Sequence, residues 1–163
     1  DLNVKNFSSS QYGSSHRFYA LIDEVKKHLD RGEQGIVYCL TKKGRSLRSC
    51  QEVYSELKNK YSVEIYSADQ GNLARSQISE DFYSGKTQLV IATKAFGLGI
   101  NKPDIRFVFH LGFPKNLDSL YQEFSRGGRD GKGCTAILFS HNSDFEIHRS
   151  NIQKEITGSG NKY

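Results

Sequence analysis

The chemistry of this chain is concentrated in Gln122–Gly131, which reads Q-E-F-S-R-G-G-R-D-G and sets two arginines, Arg126 and Arg129, three positions apart among glycines. A guanidinium is planar, always charged and forked, which suits it to the charge that builds on a transferring phosphoryl group. Small residues beside it let backbone and phosphate come close. An R-G-G-R string on its own also occurs in disordered RNA-binding segments, so its meaning depends on what surrounds it.

Two other segments carry matching chemistry. Ala92–Ile100, A-T-K-A-F-G-L-G-I, follows the most apolar run of the chain directly. Thr93 offers a short hydroxyl, Lys94 a cation, and Gly97 and Gly99 permit turns that expose backbone N–H groups to an anion. The same residues also suit an ordinary glycine-rich connection from strand to helix. Thr41-Lys42-Lys43-Gly44-Arg45, with Arg48 a little further on, forms a basic cluster behind another apolar run. It reads either as a solvated charged face or as a surface for a phosphate backbone. Ser84-Gly85-Lys86-Thr87 imitates the end of a phosphate-binding loop, but position 80 is Glu where that loop needs glycine. It also leaves a helical pattern and enters a strand, the reverse of the working order, so Gly85 reads as a helix C-cap. The five histidines have no ligand spacing, and His110 at a strand end reads as a packed or hydrogen-bonded side chain. The three cysteines have no C-x-x-C spacing, so no metal site is expected.

The elements that must position these groups follow from periodicity. Short apolar runs at Ile36–Leu40, Val63–Tyr66, Leu89–Ala92, Phe107–Phe109 and Thr135–Phe139 read as strands. Helical patterns alternate with them: Phe18, Leu21, Ile22, Val25 and Leu29; residues 46–60; residues 72–84 closed by Gly85; residues 117–125; and residues 142–155. Alternation of this kind predicts an α/β fold, a mainly parallel sheet of about five or six strands with helices on both faces. In such sheets ligands meet the carboxyl ends of the strands, so chemistry is expected after residues 40, 66, 92, 110 and 139. Residues 1–13 read as a polar N-terminal arm, 14–150 as the domain and 151–163 as a tail. The absence of Met and the Gly-Ser-Gly ending read as the two ends of a piece cut from a longer polypeptide.

The 163 residues suffice for one domain with a real core. A net charge of +5 favours a polyanionic partner without locating the contact. No apolar run approaches the ~18 residues of a membrane span, so no membrane partner is expected. An odd cysteine count suggests a reducing compartment.

Taken in order, G-I-V-Y-C (35–39), V-I-A-T-K-A-F-G-L-G-I-N-K-P-D-I-R-F-V-F-H (90–110), Y-Q-E-F-S-R-G-G-R-D-G (121–131) and A-I-L-F (136–139) resemble the RecQ family of DNA helicases. The resemblance covers roughly residues 14–150 and is narrower than a likeness to DEAD-box RNA helicases. It implies the second RecA-like lobe of a superfamily 2 motor that moves 3′ to 5′ on single-stranded or forked DNA, in repair and recombination. ATP and Mg²⁺ would be held mainly by a first lobe of the same polypeptide, which owns the phosphate loop. By the family motif, Arg129 reaches the γ-phosphate, Arg126 couples nucleotide state to DNA, and Gln122 opens the nucleotide-contacting motif. Gly97 belongs with the nucleotide side; Thr41, Lys42, Lys43, Arg45, Thr93 and Lys94 belong with the DNA track. The compartment implied is intracellular, and nuclear if the host is eukaryotic; oligomeric state is open.

The chain departs from the family in places. Tyr66-Ser67-Ala68-Asp69 stands where Y-H-A-G is usual, Gly112 stands where Asp is common, and G-R-A-G-R-D-G becomes S-R-G-G-R-D-G. These departures leave a second expectation open, a degenerate lobe that binds nucleic acid or acts as a scaffold without catalysis. In either case the 163 residues alone are expected to hydrolyse ATP at a negligible rate. DNA-stimulated phosphate release from this fragment would contradict the two-lobe reading.

Overall fold

The computed structural model describes residues 2–6, 13–43, 49–93, 102–114, 116–142 and 144. Among these residues six strands form one sheet, every pair of neighbours parallel, in the order β1-β6-β5-β2-β4-β3. The strands are β1 (Leu2–Asn6), β2 (Gly35–Cys39), β3 (Val63–Tyr66), β4 (Leu89–Ala92), β5 (Phe107–Leu111) and β6 (Thr135–Ser140). Among the described residues the helices that alternate with them are α1 (Gly13–Asp30), α2 (Cys50–Leu57), α3 (Asn72–Tyr83) and α4 (Leu117–Phe124).

Period-2 alternation sorts the strand residues between two cores. Val37, Ile91, Phe107, Phe109 and Phe139 face α1 and α2, the helices that carry Phe18, Leu21, Val25, Val53 and Leu57. Ile36, Tyr38, Val90, Ala92 and Val108 face the other way, against Ile78 and Phe82 of α3 and Phe124 of α4. Strands β2, β4 and β5 are buried along their whole length, as expected of the centre of a parallel sheet covered on both sides.

The expected three-layer architecture is therefore present, with two differences in extent. Residues 2–6 are not an arm. They pair in parallel with Ala136–Ser140 as an edge strand, and Lys5 bridges to Glu24 of α1 at 3.0 Å. The helix expected over 46–60 is described only as Cys50–Leu57. Its start is fixed by Ser49, whose amide and hydroxyl both donate to the Glu52 carboxylate, at 3.0 and 2.8 Å. Residues 44–48 lie outside the described residues, as does the expected helix beyond Asp144 and the tail. Gly85, with φ of +86°, closes α3 as a C-terminal glycine. No helix among the described residues is long and apolar enough to cross a membrane.

One ion pair ties the ends of the fold together. Arg17 on α1 and Asp144, just after β6, meet at 2.6 Å with both side chains fully buried. Asp144 also accepts from the His141 amide at 3.0 Å. Removing one member leaves the other charge buried and costs far more than the pair contributes. Asp144→Ala is expected to lower unfolding stability by about 3–5 kcal/mol in urea titration, and a loss below about 1 kcal/mol would contradict this account.

Candidate nucleotide and nucleic-acid site

Helix α4 begins at Asn116, whose side-chain oxygen accepts from the Ser119 amide at 2.8 Å. Its inner face buries Leu120 and Glu123, while Leu117, Tyr121 and Gln122 point outward. A buried carboxylate needs partners, and Glu123 has one directly beneath it. Its Oε2 lies 2.6 Å from Nε2 of His110, which is itself 2% exposed on β5. Burial depresses the pKa of His110 and the Glu123 contact only partly restores it, so the ring is neutral at pH 7. In that state Nε2–H donates to Glu123, and Nδ1 keeps a lone pair. This fits the observation that Nδ1 is buried without a hydrogen-bond partner.

His110 stacks on Tyr38, its register partner on β2, with ring centroids 4.9 Å apart. Phe124 meets the other part of the His110 ring edge-on at 4.5 Å. The Tyr38 hydroxyl in turn contacts the Arg126 guanidinium. Burial pushes the Tyr38 pKa up and Arg126 offsets only part of that shift, so the phenol stays protonated. Arg126 thus lies beside β2, a central strand of the sheet.

After Phe124 the chain turns sharply, and the turn is pinned to the amino end of β5. Gly128 N–H donates to the Ile105 carbonyl at 2.9 Å and Asp130 N–H to the Pro103 carbonyl at 3.2 Å. Both terminal nitrogens of Arg106 donate to the two Asp130 carboxylate oxygens. This fork holds the Asp130 pKa down to about 2, so the pair stays charged. The glycines are dictated by space. A Cβ at Gly127 would overlap the Cys134 thiol; one at Gly128 would sit 2.7 Å from the Lys132 carbonyl, where φ is already +64°. Arg129 projects from this turn, exposed, with Nε donating to the Ser125 carbonyl at 3.0 Å. A groove of about 580 Å³ lies beside it, lined by Leu117, Leu120, Tyr121, Phe124 and Cys134 among others.

The basic cluster is elsewhere. Thr41, Lys42 and Lys43 follow β2 at the carboxyl edge of the sheet, and Thr93 follows β4 at the same edge. The Thr41 and Lys42 carbonyls accept from the Cys50 and Gln51 amides, at 2.9 and 3.1 Å, which fastens the loop to α2. Lys42 meets Asp69 at 2.6 Å, and Ser67 donates to the other oxygen of that carboxylate at 2.6 Å. Lys42 and Ser67 hold the Asp69 pKa down to about 2. Arg45, Lys94 and Gly97 lie outside the described residues.

Gln122 stands in the last turn of α4, Arg126 and Arg129 follow it in the turn, and Thr41–Lys43 and Thr93 lie at one edge of the sheet. The backbone of the arginine turn drops to the amino end of β5, while Arg126 lies beside Tyr38, the next-to-last residue of β2. The reason is that α4 runs antiparallel to the strand it follows. Tyr38 and Glu123 are the contributors that residue-by-residue reading misses. The available signal was that Glu123 lies inside the arginine string and that His110 and Tyr38 fall on the same strand face. His110 is packed and hydrogen-bonded, as its place at a strand end suggests. Among the described residues no group of His, Cys, Asp or Glu is arranged to hold a metal ion.

The sequence profile of the helicase conserved C-terminal domain matches residues 16–131. The chain belongs to that helicase family. Its similarity extends to RecQ-type proteins: it is 41% identical over 93% of its length to a putative ATP-dependent DNA helicase Q1 of Caenorhabditis briggsae, of which it covers 24%. It is 37% identical over 71% of its length to the ATP-dependent DNA helicase RecQ of Haemophilus influenzae, of which it covers 18%. The chain thus spans about a quarter or less of these relatives. The fold also matches Saccharomyces cerevisiae Dbp5 bound to RNA and ADP BeF3, with a TM-score of 0.71, 23% identity, and coverage of 94% of this chain and 38% of that one. At that identity the likeness speaks for the fold alone. The RecA-like helicase C-terminal architecture expected from the sequence is present.

The fit between Gly127 and Cys134 gives a direct test. Gly127→Ala is expected to destabilise the domain by about 1–3 kcal/mol through overpacking, and adding Cys134→Ala should recover most of the loss. An unshifted Tm in the single variant, or no recovery in the double, would contradict the steric account.

Proposed function

We propose that this chain is the second motor lobe of a RecQ-like, superfamily 2, ATP-dependent helicase that travels 3′ to 5′ on single-stranded or forked DNA. ATP and Mg²⁺ belong mainly to a first lobe of the same polypeptide. The residues of this chain that fit a nucleotide are guanidinium groups aimed from a rigid turn, and donors of that kind suit phosphate oxygens. Arg129, exposed at the tip of the turn, stabilises charge on the γ-phosphoryl group. Arg126 senses that state from its seat against Tyr38, and Gln122 and Gly97 complete the nucleotide side. Leu117 and Tyr121 beside the turn, 69% and 78% exposed, give the first lobe an apolar face to cover. Thr41, Lys42, Lys43, Arg45, Thr93 and Lys94 supply part of the DNA track, where lysine and arginine neutralise phosphates.

The observation that carries this reading is the pinned arginine turn. Two arginines are presented at fixed spacing by a loop that hydrogen bonds, an Arg–Asp fork and steric fit all hold. A solvated RNA-binding tail would need none of these. One observation favours the alternative, a degenerate lobe that binds nucleic acid or scaffolds without turnover. Lys42 at the proposed DNA edge is neutralised by Asp69, a residue that stands where the RecQ pattern has glycine. The sequence upstream separates the two readings. A phosphate loop and a D-E-x-H-type metal motif within the preceding ~200 residues, about one domain, fit the motor and not the scaffold.

In the full-length chain, Arg129→Ala is expected to lower DNA-stimulated ATP turnover by about a thousandfold or more. Unchanged turnover would remove the role assigned to Arg129.

A further inference from the structure

We propose that Asp69 sets how strongly this lobe grips a DNA backbone: its carboxylate holds Lys42 and withholds that cation from a phosphate. The inference rests on the DNA track proposed above and adds an element that loosens its hold.

The first observation is where the pair stands. Strands β2, β4 and β3 are consecutive neighbours in the sheet, with Tyr38, Ala92 and Tyr66 in register. Lys42 follows β2, Thr93 follows β4 and Asp69 follows β3, all at the carboxyl edge. The Lys42 ammonium meets Asp69 Oδ2 at 2.6 Å, so it joins the loops on either side of β4. A cation of the proposed track is thus compensated among the track's own residues.

The second observation is which partner is fixed. Ser67 is 2% exposed, and its hydroxyl donates to Asp69 Oδ1 at 2.6 Å. The Ser67 amide donates to the Gln70 side-chain oxygen at 2.8 Å, and the Gln70 side-chain nitrogen donates to the Ile65 carbonyl at 2.9 Å. The Gln70 amide closes the turn on the Ser67 carbonyl at 3.2 Å. The carboxylate is seated by its own turn, whereas Lys42 arrives on a flexible four-carbon stem. With Lys42 and Ser67 beside it, the carboxyl stays ionised far below neutral pH.

The third observation is that the pair is open to water. The side chains of Lys42 and Asp69 are 30% and 64% exposed. Ion pairs this open add little to folding stability, so the fold has small need of this one. A phosphate that approaches Lys42 instead competes with a carboxylate already in place, and the same carboxylate repels it. The consequence falls on affinity and on its salt dependence.

The test measures binding of the full-length chain to a fluorescently labelled single-stranded oligo-dT across a salt series. Asp69→Asn keeps an acceptor for Ser67 and removes the charge. It is expected to tighten binding about threefold near physiological salt and to steepen the log–log salt slope by about 0.7, one phosphate contact on a single strand. Tm should stay within about 2 °C. Lys42→Gln should weaken binding and flatten the slope more in the Asp69→Asn background than in the native one, because the two residues share one interaction. Should Asp69→Asn unfold the domain, Asp69→Ala reads the same change in affinity. Unchanged or weaker binding by a folded Asp69 variant, or a gain that persists in full beside Lys42→Gln, overturns the withholding role. Unfolding of both Asp69 variants overturns it too, since the pair is then structural. Lys43→Gln tests the track by itself, with weaker binding and a slope flatter by about 0.7 expected. If neither Lys43→Gln nor Lys42→Gln changes binding in any background, the track reading fails, a distinct outcome.

Discussion

A helix that turns a carboxylate toward an apolar sheet must find a matching group beneath it, and this constraint organises the α3/α4 side of the domain. Taking a carboxylate out of water costs several kcal/mol, which attraction alone rarely returns. Glu123 meets it with His110 directly, and with Tyr38 and Arg126 at one remove. The register of α4 on the sheet follows from that match. With α4 fixed, the turn after it begins at one defined place, over Val108 and above the start of β5.

The turn then behaves as a small rigid body. Its backbone donors go to carbonyls at residues 103 and 105, its aspartate is forked by Arg106, and its glycines exist because neighbouring atoms occupy the space a side chain would need. Rigidity of this kind matters for a group that acts on charge in another domain. A guanidinium that must be ordered at the moment of contact loses much of its effect, whereas one already aimed does not.

The sheet is legible in the sequence because its central strands are short apolar runs buried on both faces, with no alternation to confuse them. Strand β1 is not, since L-N-V-K-N is short and polar, as edge strands often are. The arginines are legible by type and spacing, and the glycines by composition. What supports them is not, because Tyr38 and Arg106 come from other strands' ends and the fit of Cys134 against Gly127 depends on how the turn folds back. The backbone of the turn returns to the amino end of β5 because it leaves a helix running back down the sheet.

The edge strand has a mechanical meaning. Five consecutive residues of β1 pair in parallel with β6, and Lys5 is clipped to α1. Tension entering through the chain before residue 2 runs along the strand axis, so it loads the ladder in shear and must break its hydrogen bonds together. A peeling geometry would open them one at a time. A lobe stitched at its border in this way can be pulled by whatever precedes it and move as a unit, with its sheet intact.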